Sequence, residues 1–313
     1  MRVTIGVPFY NVGETLLDCV RSIFAQTELQ WELLLVDDGS TDNSLAIARS
    51  IDDPRVRVVS DGRNCGLSAR LNQIAELAQG EFVARQDADD LMHPVRLAEQ
   101  VAHLDSHRHV DAVGCPWFAI NDNSEVAGIC GNRILDLRPE SVVKRVPLSH
   151  ATALGRREWF RRIPYVKDLR RSQDRDFWIR AILFEKSRVA LLEKPRYFYR
   201  IPESVPLAKT MEGYRNNRRL LRQHGPTQLG RWRTMACICE SYAKTALWQL
   251  ASPTRVSKWL SSARSAPIDK HEQRIAQQVL DHIRAQPVPR TSSLPGASLV
   301  GTLGILPCCT HAN

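Results

Sequence analysis

Two aspartates stand side by side at the end of an apolar run, Asp37-Asp38 in LLLVDDGSTDNS, and three more, Asp87, Asp89 and Asp90, crowd into DADD. Carboxylates this close raise one another's pKa unless a cation or hydrogen-bond donors offset the repulsion. Aspartates spaced i, i+2 at a strand end can offer oxygen ligands to a hard divalent ion. Mg²⁺ or Mn²⁺ suits such a donor set, and Mg²⁺ takes only one or two carboxylates, phosphate and water completing its shell. The plain structural alternative for DADD is a capping aspartate before a helix over 94–104. Downstream, SQDRDFWIRA sets Asp174 and Asp176 at the opening of a helix whose apolar side is Phe177, Trp178, Ala181 and Ile182. The helix dipole favours an acid there. It can serve as a cap or point out of the helix end as a general base.

The elements that must position these groups follow from periodicity. VTIGVP (3–8), WELLLVD (31–37), VRVVS (56–60) and EFVARQD (81–87) read as strands. Between them, helical stripes run through Leu16, Leu17, Val20, Ile23 and Phe24, through Leu45, Ile47 and Ala48, and through Leu67, Leu71, Ile74 and Ala78. Ser40 or Thr41 is expected to cap the second helix, and Gly80 to stop the third. Alternation at this spacing predicts an α/β protein with a mostly parallel sheet covered on both faces. Ligands of such sheets bind at the carboxyl ends of the strands. Strand one ends in PFYN, strand two in Asp37-Asp38 and strand four in DADD, so five carboxylates should meet on one rim beside Tyr10.

Composition excludes several classes. The 313 residues are 43% hydrophobic and 25% charged, as in ordinary soluble globular proteins. No run approaches the ~20 apolar residues of a membrane span, and MRVTIGVPFYN does not read as a signal peptide. The eight cysteines form no CxxC pair, which removes the usual zinc and thioredoxin spacings. They are expected to be reduced thiols of a cytoplasmic protein, with Cys19, Cys237 and Cys239 in the core. His103, His107 and His109 lack an HExxH-type partner and read as a solvated helix end. No glycine-rich phosphate loop of the P-loop or Rossmann type occurs.

With those residues in place, VTIGVPFYNVGETLLDCVRSIFAQT, WELLLVDDGSTDNS, RNCGLSARLNQI and GEFVARQDADDLMHPVRL together resemble a family 2 glycosyltransferase of the GT-A fold. The resemblance runs almost unbroken over 3–97 and more weakly to about 204. It implies a nucleotide-diphospho sugar donor and a Rossmann-like nucleotide-binding half. Pro8, Tyr10 and Asp38 would line the base pocket, with Asp38 or Asp37 reading the pyrimidine edge. Asp87 would lie near the ribose and sugar, Asp89 would hold Mn²⁺ or Mg²⁺, and Arg70 and Asn72 would lie in the segment that faces the donor. The family's catalytic base matches Asp174, with Gln173 standing where a Glu is usual and Asp176 the next candidate. LSHATALGRREWF resembles the segment that shapes the acceptor side, with His150 near the pocket. Arg200, closing PRYFYR, matches an arginine set before a loop over the diphosphate. A QxxRW motif of processive synthases is absent after Asp174, since QLGRW (228–232) has the wrong spacing and place, which argues against a polymerising synthase.

Charge divides the chain. Residues 1–204 carry 28 Lys/Arg against 29 Asp/Glu, and residues 205–313 carry 15 against 5. Helices are expected over 227–250 and 270–285, and Arg215, Arg218, Arg219 and Arg222 recur at a spacing that forms one basic helical face. Such a face is either plain solvated surface or suited to anionic lipid headgroups at the inner face of a membrane, a lipid-diphosphate acceptor or, least favoured, nucleic acid. The expected organisation is a catalytic domain over 1–204, divided into a nucleotide-sugar half (1–118) and an acceptor half (119–204). A basic helical extension follows over 205–286, then a poorly ordered tail over 287–313. The function expected is inverting, metal-dependent transfer of a sugar to a hydroxyl of a saccharide or lipid-linked saccharide. The competing readings are a non-catalytic nucleotide-binding scaffold and a phospho-acceptor switch; the latter requires a strand-end lysine that is missing here.

Overall fold

A strand covered on both faces needs no polar alternation, and β1 (Val3–Phe9) and β2 (Trp31–Asp37) are buried at every position. They alternate with α1 (Thr15–Phe24), α2 (Ser44–Arg49), β3 (Val56–Val59), α3 (Leu67–Leu77) and β4 (Phe82–Arg85). The computed structural model describes residues 1–131, 134–169, 171–201, 207–251 and 268–290. After β4 come β5 (Leu91–Met92), α4 (Arg96–Ser106), β6 (Ala112–Gly114), β7 (Trp117–Ile120), β8 (Val126–Cys130), α5 (Pro139–Lys144) and β9 (Leu154–Arg156). The chain continues through α6 (Arg157–Arg162), α7 (Gln173–Ile179), β10 (Val189–Leu191), β11 (Tyr197–Arg200), α8 (Leu207–Leu229), α9 (Arg231–Ala251) and α10 (Lys270–Arg284).

The main sheet has the order β10-β6-β9-β4-β1-β2-β3 and is parallel except for β9, which runs antiparallel to β4 and β6. The expected mostly parallel α/β sheet is present. Its two faces divide β2 by parity. Leu33 and Leu35 join Leu16, Val20 and Ile23 of α1 in one core, whereas Leu34 and Val36 join Leu71, Ile74, Trp159 and Trp178 in the other. The buried Glu32 is satisfied by Thr4 Oγ1 (2.5 Å), the Gln79 amide (2.8 Å) and Arg57 (3.2 Å).

A second sheet, β5-β11-β7-β8, packs beside the first. It draws β5 from the first expected half and β8 and β11 from the second, and β7 straddles residue 118. The 204/205 boundary falls at residues outside those described. The helical extension is present but is not set apart. Ala276, Leu280 and Ile283 of α10 pack on Leu91, Phe118 and Phe198, and Arg284 reaches Asp18 at 3.1 Å. Arg290 then bridges to Ile51. Residues 287–290 therefore lie against the domain, and 291–313 are outside the described residues.

Four local expectations change. The break between α8 and α9 is at Gly230 (φ +80°), a left-handed position that favours glycine, not before Thr227. Ser40 and Thr41 bond to Asn11, joining the loops after β1 and β2, and do not cap α2. Arg218 turns inward, buried against Ser241 and Thr245 (2.8 Å) with its guanidinium over Tyr242, so the four arginines are not one solvent face. Cys239, unlike Cys19 and Cys237, is exposed.

Gly80 follows α3 but is needed for contact, not for a left-handed cap. A Cβ there would stand 2.6 Å from Thr4 N and 2.8 Å from Val3 C, backbone atoms of the central strand. Gly80→Ala is expected to lower stability by about 1–3 kcal/mol, the scale of overpacking. A urea midpoint equal to that of the unsubstituted protein would show that β1 yields more readily than its packing implies.

Candidate active site

Parallel register places the chemistry. Phe9 pairs with Asp37 across β1 and β2, and Gly6 pairs with Arg85 across β1 and β4. The ends of all three strands therefore open on one rim, as their order in the sequence implies.

The two adjacent aspartates are held by different donors. Asp37, almost wholly buried, accepts from the Ser40 amide (2.9 Å) and Ser60 Oγ (2.7 Å). Asp38 accepts from the Cys65 (2.8 Å) and Gly66 (3.0 Å) amides and from Arg70 Nε (2.9 Å). Arg70 is fully buried and also binds Asp61 at 2.6 Å, Gln73 and the Arg63 carbonyl. Its guanidinium is committed to Asp38 and Asp61 and acts on the rim through them. Asn72 likewise faces the protein, exchanging hydrogen bonds with the Tyr165 backbone at 2.7 and 2.9 Å. Pro8 is buried in β1, and Tyr10 is 46% exposed just beyond it.

DADD is built the same way. Asp90 is buried, accepting from Tyr197 Oη (3.0 Å) and the Arg200 amide (2.7 Å); burial, then Asp89 and Asp87, push its pKa well up. Gln86 Nε2 holds the Asp87 and Asp90 carbonyls at 3.0 and 2.9 Å, and Arg96, fully buried, holds Gln86 in turn. Arg200 Nε donates to the Asp89 carbonyl (3.1 Å), while its Nη1 clamps Asn121, Asp122 and Ser124 in the β7–β8 turn. Asp89 itself is left exposed; desolvation by the surrounding protein and then the Asp87 charge raise its pKa.

The base candidate comes from elsewhere in the chain. Ser172 opens α7 with a left-handed φ of +63°, costly for a residue with a Cβ and a mark of functional loops. Asp174 follows in the first turn, partly exposed, its own carboxylate accepting the Arg175 amide at 2.8 Å. Arg85 connects it to the rim. This arginine is buried at the end of β4 and bonds Asp87 Oδ1 at 3.0 Å. Burial works against its charge, but Asp87, Tyr165 and Asp174 lie within electrostatic reach and together hold its pKa up. Tyr165 senses the same two aspartates, and its hydroxyl bonds His150 Nε2. Arg85 and Tyr165 were not singled out from sequence. The available signal was a basic residue inside an apolar strand two positions before Asp87.

His150 and Asp176 are both buried. His150 is buried edge-on among Tyr165, Phe177 and Trp178, and burial lowers its pKa so that it is neutral. Asp176 is buried on the far side of α7, paired with Arg180 (2.8 Å) and close to His224 (3.9 Å). A helix turns 100° per residue, so residues 174 and 176 point to opposite sides.

The described residues hold no trio of His, Cys, Asp or Glu arranged to bind a metal unaided. Asp89 still fits a hard cation that takes one or two carboxylates and fills its shell with phosphate and water. No described helix is long and apolar enough to cross a membrane.

Arg70 is the testable member of this framework. Removing it leaves the buried Asp38 and the half-buried Asp61 without their cation, a loss of about 3–5 kcal/mol. Arg70→Met is therefore expected to destabilise by that amount at pH 7. Arg70 depresses the Asp61 pKa below its usual 3.8. That stability is fully present above the unfolded value and disappears as pH falls through the lower folded value. The gap between variant and parent should therefore narrow below about pH 4; a gap constant with pH in urea titrations would contradict the pairing.

The family model for glycosyl transferase family 2 matches residues 4–163. The putative glycosyltransferase EpsE of Bacillus subtilis is 35% identical over 187 residues, 57% of this chain and 66% of that relative. The succinoglycan biosynthesis protein ExoO of Rhizobium meliloti is 32% identical over 145 residues, 46% of this chain and 39% of that one. The chain thus spans less than two thirds of either relative. Staphylococcus aureus TarS 1-349 in complex with UDP superposes with a TM-score of 0.57 at 19% identity, covering 91% of this chain and 88% of that one. The mannosyltransferase PcManGT of Pyrobaculum calidifontis, solved with GDP-Man and Mn²⁺, gives 0.56 at 19% identity, covering 90% and 84%. At that identity the superpositions establish the GT-A fold, and the family match over half the chain, on the strands that build the rim, makes this protein a member of glycosyltransferase family 2.

Proposed function

We propose that the protein transfers a sugar from a nucleotide-diphospho donor to an acceptor hydroxyl, with inversion at the anomeric carbon. The observation that carries this reading is the exposed Asp89 at the strand-end rim together with the partly exposed Asp87 and Asp174, the last two within electrostatic reach of the same buried Arg85. Pro8, Tyr10 and the Asp37-Asp38 loop suit the nucleobase end. Tyr10 offers an exposed ring, and the aspartates are fixed by donors before any ligand arrives. Asp89 would hold Mn²⁺ or Mg²⁺, which when bound would neutralise charge on the departing diphosphate.

Asp174 takes the proton of the acceptor hydroxyl as its oxygen attacks the anomeric carbon and the bond to the diphosphate breaks on the opposite face. The hydroxyl proton moves to the carboxylate, and the bonding pair leaves with the nucleoside diphosphate. Arg85 keeps Asp87 in place through the 3.0 Å bond to its carboxylate. The aromatic bed of Tyr165, Phe177 and Trp178 fixes α7, so the base is held on a rigid element. UDP, UDP-GlcNAc and GDP-Man occur in the structures that superpose on this chain, and EpsE and ExoO suggest a saccharide or lipid-linked saccharide acceptor in cell-surface polysaccharide synthesis.

Two variants separate the roles. Asp89→Ala is expected to abolish transfer and the Mn²⁺-dependent part of UDP binding measured by isothermal titration, leaving the melting transition unchanged. Full activity of the parent protein in EDTA would remove the metal from the reading. Asp174→Asn is expected to keep donor affinity and lower kcat by about 10²-fold or more, the scale of general-base catalysis. Lost donor binding with intact turnover at saturation would return Asp174 to a capping role.

A further inference from the structure

Helix α9 is apolar on two opposite sides. One side is inward, with Cys237 and Ile238 buried in the core shared with Leu220 and Leu221 of α8. The other is bare. Trp232 is 90% exposed, Met235 and Leu247 are each 56% exposed, and Cys239 and Ala243 are exposed between them. At 100° per residue these five fall within one side of the helix, opposite the buried pair, along ~22 Å of its length. An exposed stripe of this kind, rimmed by polar groups, marks a surface built to be covered.

The rim is basic. Arg231 and Arg233 flank Trp232, and Arg215, Arg219 and Arg222 of α8 form an exposed ridge at i, i+4 and i+7. Arg222 Nη2 donates to Tyr242 Oη at 3.0 Å, joining the ridge to the edge of the stripe. The nearby acids are already engaged: Glu240 with Lys244 at 2.6 Å, and Glu140 with Lys144 at 2.8 Å and Arg233 at 3.8 Å. A second copy of the chain docked on this stripe would bring arginine rim against arginine rim. A neutral apolar partner would leave the arginines unused.

We infer that α9 lies in the plane of an anionic lipid surface, with Trp232, Met235 and Leu247 entering the headgroup boundary and the arginines of α8 and α9 meeting lipid phosphates. Tryptophan favours that depth and arginine the charge above it. Arg215, Arg219 and Arg222 of α8 and Arg231 and Arg233 of α9, all exposed, supply the complementary charge. The inference does not rest on the transferase reading, because lipid binding needs neither donor nor acceptor.

The test is co-sedimentation of the full chain with phosphatidylcholine vesicles, with and without phosphatidylglycerol. Binding is expected only with the anionic lipid, with release at ~0.5 M salt, where charges are screened within a few ångströms. Trp232→Ser with Leu247→Ser, and separately Arg215→Gln, Arg219→Gln and Arg222→Gln together, should each weaken vesicle binding at least about tenfold. UDP binding and the melting transition should stay unchanged; if the double variant melts early, Trp232→Ser alone replaces it. Quenching of tryptophan emission by bromolipid should occur in the parent and fall in Trp232→Ser. Absent sedimentation, equal binding to neutral and anionic vesicles, or variants that bind like the parent would each overturn the inference. So would a dimer in solution that Trp232→Ser dissolves, which would assign the stripe to a second copy.

Discussion

Crowding of negative charge at the carboxyl ends of parallel strands is the constraint around which this protein is arranged. Carboxylates gathered on one rim repel one another. The structure resolves the conflict by dividing them. Asp37, Asp38 and Asp90 are saturated by amides, hydroxyls and Arg70 inside the protein, and they shape the rim without adding free charge to it. Asp89 and Asp174 remain partly or fully exposed, available for chemistry.

The second sheet exists largely to hold that division. Tyr197 and Arg200 at the end of β11 fix Asp90, and Arg200 carries the same clamp to the β7–β8 turn. Arg96, wholly buried on α4, links Gln86 to the Arg85, Ala151 and Ala153 carbonyls, so the DADD loop and the segment after His150 move as one piece. Breaking such buried networks costs more than any one bond suggests, because each lost partner leaves another polar group unpaired. His150 belongs to this support. Its neutral ring, wedged between Tyr165 and Trp178, sets the floor beneath α7 and carries no charge toward a ligand.

The basic last third divides in two. α10 returns to the second sheet and closes the core over Phe118 and Phe198. α8 and α9 pack on α5 and α7 through one apolar side and leave another bare. The positive charge counted over 205–313 therefore serves several purposes. Arg284 anchors α10 to Asp18, Arg218 anchors α8 to α9, and the remaining exposed arginines frame a surface.

The parallel sheet, its rim and the convergence of PFYN, Asp37-Asp38 and DADD were legible because each depends on local patterns: apolar runs, helical spacing and strand ends that must share an edge. Asp174 was legible as an acid opening a helix. Burial and partnership were not. Arg70 and Arg218 look like their solvent-facing neighbours in the sequence, and only packing shows that one neutralises Asp38 and the other docks on Ser241 and Thr245. Arg85 and Tyr165, from segments far apart in the chain, come within electrostatic reach of both Asp87 and Asp174 only when β4 and α7 are brought together. Asp174 and Asp176 differ by two positions, yet the helical turn sends one to the rim and the other to Arg180. Residue types and spacing determined which groups could do chemistry. The tertiary structure decided which of them are free to do it, because a charge's availability depends on the donors and solvent around it, and those come from distant parts of the chain.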